Sequence, residues 1–297
     1  LSLVGSEMCI RDRSYRYSWG LKDGTGGDEL FLRSDFRMPS AGGALYHESN
    51  YTLGRWRFTA GLRFDFEHAR LRYRNYTDTW YTKTHIKNET AYERPIDIDD
   101  RSTLKQTFTE LLPKFSVMYS FDETLNLYLT IAKGYKSGGF NTQIFSDVLQ
   151  QKMMNRMGIG EVYDVQRGVA YKPEYSWNYE IGGHFSCMEG AVRGDFALFY
   201  IDCRDQQLTV FPPGQTTGRM MTNAGRTRSL GAEAAVQISP WRTFDINLAY
   251  GYTDARFVRY ETTVKNDDGD PVRISYKDNR IPYAPQHTLS AGAAWTV

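Results

Sequence analysis

Long apolar runs are missing from this sequence. No stretch approaches the ~18 uninterrupted apolar residues of a spanning helix, which excludes a helical membrane protein. An excess of one charge is missing too. Lys and Arg number 36 against 35 Asp and Glu, a formal net charge of +1. Without a basic block interleaved with aromatics, that balance gives no electrostatic case for nucleic acid as a partner. Cysteine is scarce, at 3 in 297 residues. The histidines (His47, His68, His85, His184 and His287) are scattered, with no His-x-x-x-His or Cys-x-x-Cys spacing, so no zinc site is readable. Gly134, Gly138 and Gly139 lack the spacing and the Lys-Ser/Thr end of a phosphate loop, and no G-x-S-x-G is present. Catalytic residues, metal ligands and cofactors are therefore not assigned. What is abundant is aromatic: 21 Tyr, 16 Phe and 6 Trp, with 26 Gly, at a mean hydropathy of -0.55. That combination predicts a β-rich chain with long polar loops.

The opening run, LSLVGSEMCIRDR, differs from all that follows. It has neither the basic start nor the apolar core of a signal peptide. A transposon adapter used in sequencing libraries encodes Leu3 to Asp12 without a mismatch, and its last bases allow Arg13. Residues 1–13 are therefore expected to be a translated adapter and residues 14–297 native sequence, truncated at the start. Removing 1–13 leaves the net charge unchanged and removes Cys9.

From Ser14 onward the dominant signal is alternation with period 2. Trp56, Phe58, Ala60, Leu62, Phe64 and Phe66 share one face of a segment whose other face carries Arg57, Thr59, Gly61, Arg63, Asp65 and Glu67. Similar runs place Leu125, Leu127, Leu129 and Ile131, then Tyr175, Trp177, Tyr179 and Ile181, then Leu230 to Ile238, then Phe244 to Tyr252, opposite polar residues. At about ten residues these segments exceed the ~5–6 of soluble strands and suit tilted bilayer-crossing strands. Strands are expected near 14–21, 43–51, 56–67, 113–121, 125–133, 175–186, 191–202, 228–238, 244–255 and 286–297. Tight turns fall at Thr52–Arg55, Asp122–Thr124, Cys187–Gly190 and Ser239–Thr243. Long polar stretches lie near 69–112, 134–174, 203–226 and 255–285. Short alternating with long is the pattern of an all-β, antiparallel, up-and-down transmembrane β-barrel, with short periplasmic turns and long extracellular loops. Aromatics near strand ends (Tyr46, Tyr51, Trp56, Tyr119, Phe121, Tyr135, Tyr175, Trp241 and Trp295) suit interfacial girdles. A soluble β-sandwich gives the same period; an apolar interior under a polar exterior would mark it. An outer-membrane barrel enzyme is a further reading, marked by a Ser/His/Asp or Asp/His cluster at the loop end, where His287 is the candidate.

Several motifs carry a family resemblance. YLTIAKGYKSGGFN (128–141), KPEYSWNYEIGGHF (172–185), DFALFYIDCRDQQLTV (195–210) and NAGRTRSLGAEAAVQI (223–238) resemble successive strands and loop starts of TonB-dependent outer-membrane receptors. RWRFTAGLRFDFE and RIPYAPQHTLSAGAAW are similar to further patterns of that family, with Phe64 where Tyr is usual. The resemblance runs from about Tyr46 to the end of the chain, in the family's order. It implies a 22-stranded barrel around an N-terminal plug, lodged in outer-membrane lipid. Such a barrel imports a scarce small-molecule ligand, often a ferric siderophore, with energy from a TonB-type transducer that acts through the plug. Plug, TonB box and closing strand are not found here, so the chain is expected to be about nine or ten strands of such a barrel, and not an enzyme.

Tyr, Arg and Gln residues of the long polar stretches are the expected ligand contacts: Arg72, Tyr73, Arg74, Tyr76, Trp80, Gln143, Arg167 and Arg219, with Tyr81 and Gln215 beside them. Met153, Met154 and Met157 have the spacing of a short amphipathic helix packed on the rim. Asn266 to Asp270 lacks the spacing of a calcium loop and reads as a solvated tip. Cys187 and Cys203 lie at opposite ends of an extended strand, roughly 40 Å apart at ~3.3 Å per residue, and are expected as free thiols.

Overall fold

The computed structural model describes residues 2–18, 29–85, 90–158, 169–210, 220–265 and 271–296. Ten strands form one antiparallel sheet in chain order: β1 (Ser2–Ser18), β2 (Glu29–Leu53), β3 (Trp56–His85), β4 (Thr90–Ser120), β5 (Leu125–Lys136), β8 (Glu174–Cys187), β9 (Val192–Val210), β10 (Met220–Trp241), β11 (Phe244–Arg259) and β14 (His287–Trp295). The long connections hold two small ladders, β6 (Gly139–Phe140) with β7 (Ala170–Tyr171) and β12 (Glu261–Lys265) with β13 (Pro271–Ser275). Among the described residues they also hold one α-helix, α1 (Phe145–Arg156).

The expected alternation of connections holds. At one end, β2 turns into β3 through Gly54, whose φ of +58° suits a residue without Cβ. The β4–β5 turn is closed by the Asp122 carboxylate, which accepts hydrogen bonds from the Thr124 hydroxyl and from the Thr124 and Leu125 N–H groups. Those donors hold its carboxyl below the ordinary value. The β8–β9 turn uses Met188, Glu189 and Gly190, all at positive φ. Every long connection lies at the other end.

The strand lengths differ from expectation. Residues 69–112, expected as a loop, are the upper part of a hairpin. β3 and β4 pair from Trp56↔Tyr119 to His85↔Thr90 in one uninterrupted register. β9 and β10 likewise pair up to Val210↔Met220. β2 begins at Glu29, well before the expected residue 43, and β1 spans Ser2–Ser18, earlier than the expected 14–21. β1 lies at the sheet edge, where backbone hydrogen bonds extend a ladder whatever the side chains are.

The register assigns the two faces. Phe64 lies between Leu45 and Leu111, Leu129 pairs with Ile181, Ile181 with Leu198, and Leu248 with Ala291. This face is apolar yet open to its surroundings: Leu62 is 48% exposed, Ile181 52% and Leu289 78%. Aromatic rows edge it at the short-turn end. The Trp56 and Tyr119 rings are 4.7 Å apart, Tyr119 and Phe121 4.9 Å, and Phe244 and Trp295 5.9 Å. Tyr46, expected in that girdle, pairs with Arg63 and so belongs to the other face. That other face is polar: Arg63 bonds Asp65 at 2.7 Å, Lys114 bonds Glu48 at 3.2 Å, the Tyr128 hydroxyl donates to Glu180 at 2.8 Å, and His184 bonds Asp195. A concavity of ≈ 660 Å³ lies on this polar side, with Asn126, His184, Asp195, Gln237 and Asn247 among its walls. An apolar exterior around a polar interior is the inverse of a soluble sandwich and fits a barrel wall in lipid.

Candidate functional site at the long-loop end

Above the apolar belt the hydrophobic side of the sheet changes. On β3 the apolar residues sit at even positions up to Phe66, then at odd positions from Leu71. The ladder has no bulge between them. Leu71, Tyr73, Asn75 and Thr77 therefore continue the polar inner face of Arg63 and Asp65, and all four are buried. They are covered by α1, whose Phe145, Val148 and Leu149 are fully buried. The Phe145 ring lies 4.8 Å from that of Phe36 on β2 and 4.7 Å from that of Tyr73. Leu149 and Met153 pack on Ile96 and Ile98 of β4, with Met157 beside them, so the methionine spacing did mark a helix on the rim. Burial, and next the Asp100 charge, push the Tyr73 phenol up to about 12. Lys152 of α1 pairs with Asp100, and beside them α1 and β4 enclose a cleft of ≈ 340 Å³ reaching Asn155 and Arg156.

Side-chain amides tie the α1 segment down from several strands. Buried Asn75 accepts from Ser34 and donates to the Phe145 carbonyl at 3.2 Å. Gln106 donates to the Gly139 carbonyl at 2.9 Å. Asn141 exchanges hydrogen bonds with the Met221 backbone at 2.7 and 2.8 Å. Gln207 donates to the carbonyls of Ser137 and Lys172, while its own N–H donates to Glu174. Asn223 donates to the Lys172 and Asp205 carbonyls and accepts from the Lys172 N–H. Lys172-Pro173-Glu174, Asp205-Gln206-Gln207 and Asn223-Ala224-Gly225, three separate motifs in the sequence, thus form one knot. Gly225 is required there, because a Cβ would lie 1.9 Å from the Arg259 carbonyl oxygen.

The expected ligand residues are divided by this geometry. Tyr73 faces inward under Phe145. Arg72, Arg74 and Tyr76 share the outward parity of Phe64 and Phe66. Trp80 continues β3 opposite Pro95, and its side chain, like that of Tyr81, lies outside the described part. Gln143 is exposed just before α1. Arg167, Arg219 and Gln215, and the Asn266–Asp270 tip, lie outside the described residues. The amides Asn75, Gln106, Asn141, Gln207 and Asn223 were not singled out by type; for all but Asn141, which lies between β6 and α1, the signal was inward parity on strands read as loops. Cys187 and Cys203 are free thiols, with Cys203 opposite Ser176 near the top of β8 and Cys187 at its foot. Among the described residues no group of three or more His, Cys, Asp or Glu is placed to hold a metal. The His184–Asp195 pair sits near the short turn of β8–β9, at the far end from the long loops. His287 lies on β14 and shares a 2.8 Å hydrogen bond with the Tyr250 hydroxyl.

A single up-and-down sheet with an apolar outer belt, aromatic rows, a polar concave wall and all long connections at one end defines the wall of an outer-membrane β-barrel. The chain belongs to the TonB-dependent receptor family: the sequence model described as TonB dependent receptor-like, beta-barrel matches residues 10–297. It is similar to pesticin receptors, 28% identical over 185 residues in Yersinia enterocolitica and 26% identical over the same length in Yersinia pestis. Each alignment covers 62% of this chain and 22% of the relative, so the chain spans about a fifth of the length of those receptors. Its fold is similar to that of the ferric yersiniabactin uptake receptor FyuA of Yersinia pestis, at a TM-score of 0.56 and 18% identity. That match covers 91% of this chain and 34% of that one. The siderophore receptor PiuA of Acinetobacter baumannii gives a TM-score of 0.54 at 14% identity, covering 91% and 32%.

Proposed function

We propose that this chain is part of the wall and outer mouth of an outer-membrane receptor. The receptor takes up a scarce ligand, a ferric siderophore or similar chelate, using energy delivered by a TonB-type transducer through an N-terminal plug. The observation that carries the reading is the α1 segment. It is held on the inner face of the wall above the polar lumen, where a ligand entering from outside meets it first. Among the expected contacts, Gln143 is the one that the described geometry leaves exposed on that segment; Trp80 continues the outward parity of Arg72, Arg74 and Tyr76, and Arg167 and Arg219 are proposed as contacts on the sequence alone. Tyr73 supports them by seating Phe145. Arg72, Arg74 and Tyr76 turn away from the lumen. The role is binding and transport, with no catalytic step. Support comes from the family, and from the descriptions of the two structural relatives, one a ferric yersiniabactin uptake receptor and the other a siderophore receptor.

The test uses the receptor that carries this chain, expressed in a strain lacking its own ferric-chelate receptors, with a panel of iron-55 chelates. At least one chelate should bind with submicromolar affinity and enter only when TonB is present. Replacing 141–157 by a Gly-Ser linker should abolish binding while the barrel still inserts. Uptake without TonB, or binding unchanged by the replacement, would sink the proposal. The domain reading is proposed alongside it, with 14–297 native and 1–13 adapter, on the codon match; sequencing the gene from genomic DNA decides that separately.

A further inference from the structure

At Pro113 the wall divides. The β4–β5 ladder runs only from Ser120↔Asn126 to Lys114↔Ala132, although β4 continues upward to Thr90 and β5 to Lys136. The Ser120 N–H donates to Arg55 on the β3 side, and the Phe121 N–H to Leu125 on the β5 side. Odd residues of β4 therefore direct their N–H groups at β5, and Pro113, the first residue past the ladder, has none to give. Beyond it the top of the β5–β8 hairpin folds inward. The β5–β8 ladder is unbroken from Leu125↔Phe185 to Lys136↔Glu174, so Lys133, Tyr135 and Tyr175 keep the outward parity of Leu129 and Ile181. Their polar ends nevertheless gather on the inner face of β3–β4. The Lys133 ammonium bonds Glu110 at 2.9 Å, and the Tyr175 hydroxyl interacts with the same carboxylate. Glu110 lies opposite Asp65, on the inner side. The carboxylates that act on the Tyr135 phenol are Glu67, Glu110 and Asp65, all inward by parity. That hydroxyl is buried and has no hydrogen-bond partner among the described residues. Higher up, Gln106 of β4 holds the Gly139 carbonyl, and a Cβ on Gly138 would come within 3.0 Å of the Phe108 ring. The side of β5–β8 that faces lipid below Pro113 thus covers the inside of β4 above it.

We infer that the top of the β5–β8 hairpin is a swinging arm with two seats, held in its inward seat by the Lys133–Glu110 pair. In the outward seat Tyr135 and Tyr175 stand where their parity places them, in an aromatic row at the outer surface of the bilayer. There both phenols regain polar surroundings, which suits an amphipathic ring at an interface. Moving between the seats separates no β4–β5 ladder, because none is formed above Lys114. The β8–β9 ladder continues to Tyr175↔Arg204, so the tops of β9 and β10 travel with the arm. The arm also carries the α1 segment. Phe145, packed against Phe36 and Tyr73, is therefore a second catch, and the outward seat widens the mouth. Removing one partner of the largely buried pair leaves the other charge uncompensated and drives the arm out.

The experiment takes the receptor that carries this chain, purified from outer membranes into lipid nanodiscs. Spin labels on non-natural amino acids at Thr103 and Lys136, both exposed, report the distance between β4 and the arm. The wild type should give chiefly one short distance. Lys133→Met should add a longer one, and Lys133→Met/Phe145→Ala should make the longer one dominant. The charge swap Lys133→Glu/Glu110→Lys should restore the short distance, which a loss of packing alone would not allow. Tyr135→Trp in brominated lipid reads the destination. Its fluorescence, taken as the difference from the same receptor with Tyr135, should be quenched more in the Lys133→Met background than with the pair intact. Heat-modifiable migration shows that each variant is an inserted barrel. Where the Lys133 variants do not insert, Tyr135→Trp with the pair intact decides alone: a quenched minority supports the arm and its absence overturns it. Unchanged distances in the inserted double variant, a longer distance that the swap does not reverse, or a longer distance without added quenching would each overturn the inference.

Discussion

The lower and upper halves of the β2–β4 hairpins share one backbone ladder and reverse their chemistry. Below Phe66 the outward residues are apolar and the inward ones are Arg63, Asp65 and Glu67. Above it the outward residues are Arg70, Arg72 and Arg74, and the inward ones are Leu71, Tyr73 and Asn75 under α1. The pleat decides only that neighbours face opposite ways. What lies against each face decides which set is apolar: lipid outside the lower half, a packed helix inside the upper half. The reversal marks where the wall leaves the bilayer, within a few residues of His68.

The strongest way to break that contrast is to delete Ala69. A one-residue slip exchanges faces along everything beyond it. Arg70, Arg72 and Arg74 would turn towards Phe145, and an unpaired guanidinium buried there costs several kcal/mol. The expected result is release of the α1 segment, read as new protease cleavage in 137–173, while the lower barrel still migrates as a folded band. An undisturbed segment would mean that a bulge absorbs the deletion and that the two halves are not tied in register.

Phe145→Ala probes the upper half alone. It removes a fully buried ring between Phe36 and Tyr73 and should destabilise the α1 seat by about 3–5 kcal/mol, seen as faster amide exchange over 145–156. Leu62→Arg probes the lower half. A cation on the lipid side near the middle of the belt should cost about 2–4 kcal/mol in denaturant titrations of the barrel in vesicles. Arg72→Leu, on the same face but above the belt, should stay within about 0.5 kcal/mol in the same titration. Similar losses for the two outward substitutions would erase the boundary placed near His68.

Strand order, antiparallel pairing and the sorting of turns from long connections were legible because the lipid-facing rows repeat with period 2 at fixed parity. The tall hairpin was not legible, and its own chemistry is the reason. Alternation persists from Arg70 to Asp78, but the apolar residues change parity at Leu71, so a reader following one face sees the strand end. The site suffered most from this. Arg72, Tyr73, Arg74 and Tyr76 read as one loop cluster, whereas a strand sends Tyr73 one way and the other three the opposite way. The amide knot joins Lys172, in the link before β8, to Gln207 of β9 and Asn223 of β10, and no local spacing announces such a contact.

The gentlest test of the two faces uses pH, because each face of the upper half carries a group whose titration the fold shifts. Outside, hydrogen bonds from Arg101 and Arg74 hold the Asp99 carboxyl well below its usual range. A value lower in the folded than in the unfolded chain, where it is about 3.9, gives a contribution present above about pH 4 that disappears only as acid takes the pH through the folded value. Inside, the Tyr73 phenol is raised to about 12, first by burial and then by Asp100. An unfolded phenol titrates near 10, so its contribution is complete below about pH 10 and is lost as the pH climbs through about 12. The α1 segment should therefore stay seated at pH 3.5 and loosen between about pH 10 and 12, measured as protease access to 137–173. Tyr73→Phe, which cannot ionise, should abolish the alkaline step and leave the acid limb unchanged. An alkaline release of the same size in that variant would show that the inner face is not what holds α1.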